Sequence, residues 1–165
     1  MDPLLRRHLE TTFFGEYQWL RDQLMELLTD GDLDVRVGAE TASLGALCRE
    51  IGEVERAYVE SFRTFRLDFR YRHPHPQIER SVALLSNWYA ELDRELMEAL
   101  DGLSEDDTAE RRIIRGDFEV EGFAPLPTIQ LDIYREALLI FYGKVSVYLR
   151  AMGKTFPQQW EHWIG

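Results

Sequence analysis

The sequence is short of the residues from which metal and redox sites are usually made. It holds one cysteine, Cys48, which excludes an internal disulfide and any Cys-based zinc site. That usage suits a reducing cytoplasm. Its histidines are His8, His73, His75 and His162, and no Glu-x-x-His or His-Glu-x-x-His occurs in the chain. Those spacings are what place two ligands on one face of a helix, so a ferritin-like di-iron centre and a zincin site are both excluded. Positive charge is also scarce. Lys+Arg number 19 against Asp+Glu 30, a formal net charge of -11, and a polyanion would be repelled unless basic residues were gathered on one face. The longest purely apolar run, Ala137 to Tyr142, is far below the ~20 residues of a membrane span. The opening Met1-Asp-Pro-Leu-Leu-Arg-Arg-His lacks the basic-then-apolar order of a signal peptide. The expectation is a soluble, cytoplasmic protein with neither nucleic acid nor membrane as a direct partner.

What is present is a core. Hydrophobic residues make up 45% of 165 residues and include 9 Phe, 7 Tyr and 4 Trp, which excludes disorder and suits one domain over residues 1–165. Four segments carry helical periodicity. The first opens on Asp2-Pro3, a cap followed by a first-turn proline, repeats Leu5, Leu9, Phe13, Tyr17, Leu20, Leu24 and Leu27, and stops at Gly31. The second starts near Thr41 or Ser43 and runs Leu44, Cys48, Ile51, Glu55, Tyr58, Phe62, Phe65. Prolines in Tyr71-Arg-His-Pro-His-Pro76 forbid a helix interior, and Pro76 is expected in the first turn of the third helix, which follows Ile78, Val82, Leu85, Leu92, Leu96 and Leu100. Residues 102–127 are irregular: Ser104-Glu-Asp-Asp suits a short capped helix, and Phe118-Glu-Val-Glu a short strand. The fourth helix runs from about Thr128 to Met152, with Gly153 as a left-handed cap. The aromatic tail, Phe156 to Ile164, is expected to fold back on the bundle end. The fold class is all-α, a four-helix bundle with a long irregular connection before the fourth helix.

Several residues invite a chemical reading. His73-Pro-His75 could chelate zinc or nickel, but a proline-rich connector is the plainer account. Arg63, Arg66, Arg70 and Arg72 cluster near the end of the second helix, where cations complement the helix dipole; pairing within the chain is favoured over an anion site. Glu55 interrupts an apolar seam, so it needs a partner, an interhelical arginine or lysine before a ligand. Glu16 is a weaker case of the same kind. Cys48 is expected to pack as a small hydrophobe, no histidine being placed to activate it. Gly52 and Gly143 lie inside helices at a cost of about 1 kcal/mol each, which points to close helix approach or to room for a ligand.

Ser43-Leu-Gly-Ala-Leu-Cys-Arg-Glu-Ile-Gly-Glu-Val-Glu55 resembles the second-helix motif of the DinB-like (YfiT-like) superfamily. Thr128 through Gly143-Lys-Val-Ser-Val-Tyr-Leu-Arg-Ala-Met-Gly153 resembles its fourth helix. The resemblance implies a four-helix bundle and, in typical members, a divalent metal held by one histidine of the second helix and a His-x-x-x-His pair of the fourth. Relatives include thiol-dependent transferases and isomerases. Carried over, the three ligand positions fall on Glu50, Ala137 and Phe141, and Lys144 stands where the family usually has Gln. A methyl group and a phenyl ring donate nothing to a metal, and Lys144 could pair with Glu50. The expectation is a metal-free, non-catalytic bundle that binds a small ligand or a protein partner, as a homodimer, without a cofactor. Its candidate pocket is Glu50, Glu55, Tyr58, Tyr134, Ala137, Phe141 and Lys144, with no catalytic residue and no metal ligand assigned. The alternatives are a metal-dependent hydrolase or thiol S-transferase using a displaced site, such as Glu50, Glu53 and Tyr134, and a structural module acting through the Trp160/Trp163 tail or residues 102–127.

Overall fold

A computed structural model describes residues 9–116 and 123–164. The first helix is wound in two ways. Leu9–Gln18 has the wide π winding and continues into an α-helix, α1 (Trp19–Leu27). The cap expected at Asp2-Pro3 lies outside the described residues. The helix ends at Leu28, whose backbone turns extended (ψ 151), three residues before the expected Gly31. Gly31 lies instead in a 3-10 turn, Asp30–Asp34. That turn is closed by Asp32, whose carboxylate accepts from the Thr29 amide at 2.7 Å and from Lys154 Nζ at 2.7 Å.

Helix α2 (Leu44–Thr64) starts where Ser43 Oγ accepts from the Ala46 amide at 3.1 Å, satisfying one of the first-turn donors. Its predicted seam of Leu44, Cys48, Ile51, Glu55, Tyr58 and Phe62 is buried throughout. It ends on Phe65, a left-handed residue (φ 57), which is uncommon for a bulky side chain. The Phe65 ring is buried beneath the Arg111 guanidinium, 3.7 Å from the ring centroid. The strand β1 (Arg66–Leu67) follows.

The third long helix departs from the expectation. Pro76 opens a 3-10 turn (Pro76–Arg80), and helix α3 (Val82–Asp101) begins beyond it with Ser81 as its cap. The proline fits the first turn of either winding, so the sequence did not separate them. Helix α4 (Glu105–Ala109) is the short capped helix expected at Ser104. Next comes strand β2 (Ile114–Arg115), parallel to β1. The expected strand at Phe118 lies outside the described residues. Helix α5 (Pro127–Ala151) is the fourth long helix, with Gly153 left-handed (φ 67) beyond its end. The tail forms helix α6 (Gln158–Trp163) and folds back as expected: Trp160 is fully buried and its indole N–H donates to the Leu20 carbonyl at 3.0 Å.

The fold is all-α apart from that two-residue β pair. Helix α2 is the centre of the bundle, packed on α3 along one side and on α5 along another. Leu20, Leu24, Leu44, Val59, Leu85, Leu96, Leu138, Val145 and Leu149 are all fully buried, each contributing about 1.5–3 kcal/mol of transfer free energy. Gly52 sets how closely α2 and α3 approach: a Cβ there would lie 2.4 Å from the Trp88 ring. Among the described residues, no helix is long and apolar enough to cross a membrane.

Candidate functional site

Two places in the bundle break the rule of apolar inside and polar outside. The first is a cleft between α2 and α5. Leu47, Glu50, Ile51 and Val54 line it from α2; Ala137, Ile140, Phe141 and Lys144 line it from α5. Both sets run i, i+3, i+4, i+7, so each is one face of its helix. The cleft encloses about 150 Å³. Leu47, Ile51 and Phe141 are its buried floor, while Glu50, Lys144 and Ile140 stand exposed at its rim.

The three positions to which the resemblance assigns metal ligands therefore open on one cleft. A metal does not fit there. Ala137 presents a methyl group and Phe141 a ring packed 5.5 Å from that of Tyr142, leaving Glu50 as the single donor where a catalytic zinc site needs three protein ligands. Among the described residues, no group of three or more His, Cys, Asp or Glu could hold a metal ion. Nor do Glu50 and Lys144 form an ion pair across the cleft, as the sequence suggested they could.

A shallower groove adjoins the cleft and shares Glu50 and Val54 with it, continuing over Ala46, Arg49, Phe69 and Arg72. Its arginines are engaged. Arg49 Nη1 lies 2.6 Å from Glu79, and Arg49 and Arg72 both approach Glu53, at 3.5 and 3.8 Å. Glu53 also accepts from the His73 amide at 2.9 Å. The Glu50, Glu53, Tyr134 alternative thus fails on geometry: Glu53 turns towards the arginines and Tyr134 is buried in the core. The arginine cluster is likewise paired within the chain at Arg63 (Glu60, Glu95), Arg70 (Asp68) and Arg72. The His73 ring lies 4.5 Å from that of Trp88 at a 60° tilt, with Nδ1 3.2 Å from the His75 carbonyl oxygen, and the two imidazoles meet edge to face, 5.8 Å between centroids.

The second place is inside. Arg21 of α1 is fully buried and forms an ion pair with Glu55 of α2, also fully buried. Its other nitrogen lies 2.7 Å from Asp93 of α3. Gln18 Nε2 donates to Glu55 at 2.9 Å and to Asp93 at 2.7 Å, and lies 3.4 Å from the Tyr134 hydroxyl. The Arg21 guanidinium sits 4.1 Å over the Tyr89 ring. Burial works against the charge on Arg21, yet Asp93 and Glu55 together hold it well above its ordinary value. Burial pushes the Glu55 carboxyl up to about 7, with Asp93 adding to the shift and Arg21 opposing it. Cys48 is also buried here; burial pushes its thiol up to about 12, so it is inert as a nucleophile.

The predicted pocket is thereby divided. Glu50, Ala137, Phe141 and Lys144 meet at the cleft. Glu55 and Tyr134 belong to the buried network, and the Tyr58 ring packs at a tilt on that of Tyr134, 4.9 Å between centroids. The expected arginine partner of Glu55 is present, but three members of the network escaped sequence reasoning: Gln18, Arg21 and Asp93. Arg21 carried a legible signal. It sits four residues after Tyr17 and three before Leu24, on the apolar stripe of its helix. Asp93 neighbours Leu92 and carried none.

No protein-family profile and no curated protein matches this sequence. Among solved structures, the chain is similar to the crystal structure at 2.30 Å resolution of a DinB-like protein, YjoA, from Bacillus subtilis. The TM-score is 0.64 at 15% identity, over 88% of this chain and 92% of that one. With its long helices, the return of the tail and near-complete mutual coverage, the chain has the fold of a DinB-like protein.

Proposed function

We propose that this protein is a non-catalytic, single-domain DinB-fold bundle that works by docking a partner surface against the α2–α5 cleft. The observation that carries the reading is the chemistry of that cleft. Where the resemblance implies metal ligands, the chain presents Ala137, Phe141 and a single carboxylate around an apolar hollow. Size separates docking from cofactor binding. Pockets for drug-sized ligands and cofactors span roughly 300–1,000 Å³, whereas about 150 Å³ takes one large aliphatic or aromatic side chain. The rim supplies opposite charges, Glu50 and Lys144, and the exposed Ile140 extends the apolar surface. A small molecule is the second reading, favoured only by the opposite charges at the rim, and it is limited to an apolar body about the size of benzene. The acidic composition opposes nucleic acid as the partner, and the lone buried Cys48 fits a cytosolic location.

Two measurements on the full chain test this. Elemental analysis of tag-free protein, with thermal melts in millimolar zinc, nickel or manganese, is expected to show no stoichiometric metal and no rise in Tm. A bound metal in one-to-one ratio would sink the reading. Toluene, followed by methyl NMR, is expected to shift Leu47, Ile51, Val54 and Ala137 selectively. Shifts confined to other parts of the bundle would show that the hollow is closed in solution.

A further inference from the structure

The cleft between α2 and α5 and the groove beside it each carry both signs of charge, Glu50 against Lys144 in one and Arg49 and Arg72 against Glu50 and Glu53 in the other. A further groove, between α1 and α3, carries one sign only. It encloses about 650 Å³, shares no residue with the other two, and has no lysine, arginine or histidine along its walls. On the α1 side, Trp19, Asp22 and Glu26 fall within about 60° of one another around the helix, over the buried Met25. Beyond the end of α1, Asp30 adds a third carboxylate, one oxygen of which accepts from the Val82 amide at 2.8 Å. The α3 side is short and uncharged, with Ala83 and Ser86 exposed next to Val82.

The acidity of this groove is more than a share of the net charge. Elsewhere four i, i+4 neighbours are acid with base: Arg49 with Glu53, Arg56 with Glu60, Arg94 with Glu98, and Asp107 with Arg111. Asp22 and Glu26 have the same spacing and like charges, a destabilising arrangement for a helix. Among the described residues, no base forms an ion pair with Asp22, Glu26 or Asp30. Burial holds the Asp22 carboxyl above its ordinary value, with Asp93 and Glu26 adding to the shift and Arg21 opposing it. A cation brought into the groove would relieve that crowding. Apolar surface accompanies the charge: Trp19 is 49% exposed, although an indole is among the most costly side chains to leave in water.

We propose that the α1–α3 groove docks a basic amphipathic helix of a partner protein, with its lysines or arginines on Asp22, Glu26 and Asp30 and its apolar stripe on Trp19, Met25 and Val82. Asp22 and Glu26 are one turn apart, about 6 Å along the axis, and bases four residues apart on a helix lying alongside repeat at the same interval. The short side chains of Ala83 and Ser86 let its backbone come close to α3. Charge decides the class of partner. A second copy of this chain, at net charge -11, a nucleic acid and an anionic lipid surface are all repelled. A small polyamine would satisfy the carboxylates but leave the Trp19 indole and the open wall of α3 uncovered, whereas a helix covers both.

The test is titration of the full chain with a synthetic peptide of about 14 residues, four helical turns, bearing lysines four apart beside a leucine stripe. Calorimetry should give saturable one-to-one binding, and a scrambled peptide of the same composition should bind at least about tenfold more weakly. Asp22→Asn with Glu26→Gln should weaken binding by about tenfold or more, as should Trp19→Ala. Glu40→Gln with Glu110→Gln removes the same charge from exposed positions elsewhere and should change binding by less than about twofold. Trp163, 43% exposed, is an internal control: by NMR the indole N–H of Trp19 should move on titration and that of Trp163 should not. All these substitutions are at exposed positions, and an unchanged urea midpoint confirms that each variant is folded. The proposal is overturned if the peptide fails to bind at about 1 mM, if the scrambled peptide binds as well, or if the Glu40/Glu110 variant loses as much as the Asp22/Glu26 variant. Spermidine binding as tightly as the peptide would put a small polycation in place of the helix.

Discussion

The interior of this bundle between α1, α2 and α3 and its surface along α5 exchange the usual roles of charge and hydrocarbon. Inside, Arg21, Glu55 and Asp93 sit among tyrosines with their charges paired, Arg21 Nε and Gln18 Oε1 being the buried atoms of the network left without a hydrogen bond. Outside, Ile129, Ile140 and Val147 face solvent beside a hollow floored by Leu47, Ile51 and Phe141. The difference lies in what each arrangement lacks. Buried charge is costly unless it is paired, and within this fold the pairing is nearly complete. The exposed apolar face is the unfinished part, because nothing among the described residues covers it. On the docking reading proposed above, a partner completes the packing of that surface and the charged interior holds the fold.

The sharpest way to break that contrast is to remove one member of the interior pair. Arg21→Ala leaves Glu55 buried without its cation, and Glu55→Ala leaves the buried Arg21 with Asp93 as its one remaining anion. Each is expected to cost about 3–5 kcal/mol in urea unfolding. Replacing both together, Arg21→Met with Glu55→Leu, should cost less than the sum of the single changes, because no fully buried charge remains and Asp93, the anion left without Arg21, is partly open to solvent. If the single substitutions cost under 1 kcal/mol, water reaches this network and the contrast fails.

The pH dependence follows from the same pair. The Glu55 carboxyl is raised in the folded state, to about 7, from an unfolded value near 4.3. A raised carboxyl binds its proton more tightly when folded. Its contribution is therefore fully present below the unfolded value and is lost as pH rises through the folded one. The wild type should lose stability between about pH 4 and 7, by urea midpoint, relative to Glu55→Gln, which cannot titrate. A midpoint difference between the two chains that stays flat across that window would show that Arg21 keeps Glu55 ionised throughout.

Much of the fold was legible, and the reason is periodicity. Five apolar positions in α2, Leu44, Cys48, Ile51, Tyr58 and Phe62, mark one buried stripe broken by Glu55, and Ser43, Ser104 and Gly153 are residue types whose local chemistry ends or begins a helix. The start of α3 was not legible, since Pro76 suits a 3-10 turn as well as an α-helix. The site was legible in halves. The i, i+3, i+4, i+7 faces of α2 and α5 do meet, bringing Glu50, Ala137, Phe141 and Lys144 together. Glu55 lies five residues beyond Glu50, about 140° round the helix, and so faces the core, while Tyr58 and Tyr134 lie two turns along from Ile51 and Phe141, where they pack on each other beyond the cleft. The signal in Asp93 was absent for a simple reason: an acid among acids on α3 differs from its neighbours only in what faces it across the bundle.

The mildest comparison sets two glycines against each other under one substitution. Gly52 and Gly143 both lie in helix interiors, where alanine is intrinsically better by about 1 kcal/mol. At Gly52 the added Cβ would lie 2.4 Å from the Trp88 ring, so α2 and α3 must move apart, and Gly52→Ala is expected to lose about 1–3 kcal/mol as overpacking does. At Gly143 the same Cβ meets nothing within 4 Å among the described residues, and Gly143→Ala should gain about 0.4–1 kcal/mol, largely by restricting the unfolded chain. Opposite signs for one residue change, both read by urea unfolding, would show that Gly52 is held by the packing of α2 on α3 and that Gly143 is not held by packing within the bundle. A loss at Gly143 as large as that at Gly52 would show that a neighbour packs on it.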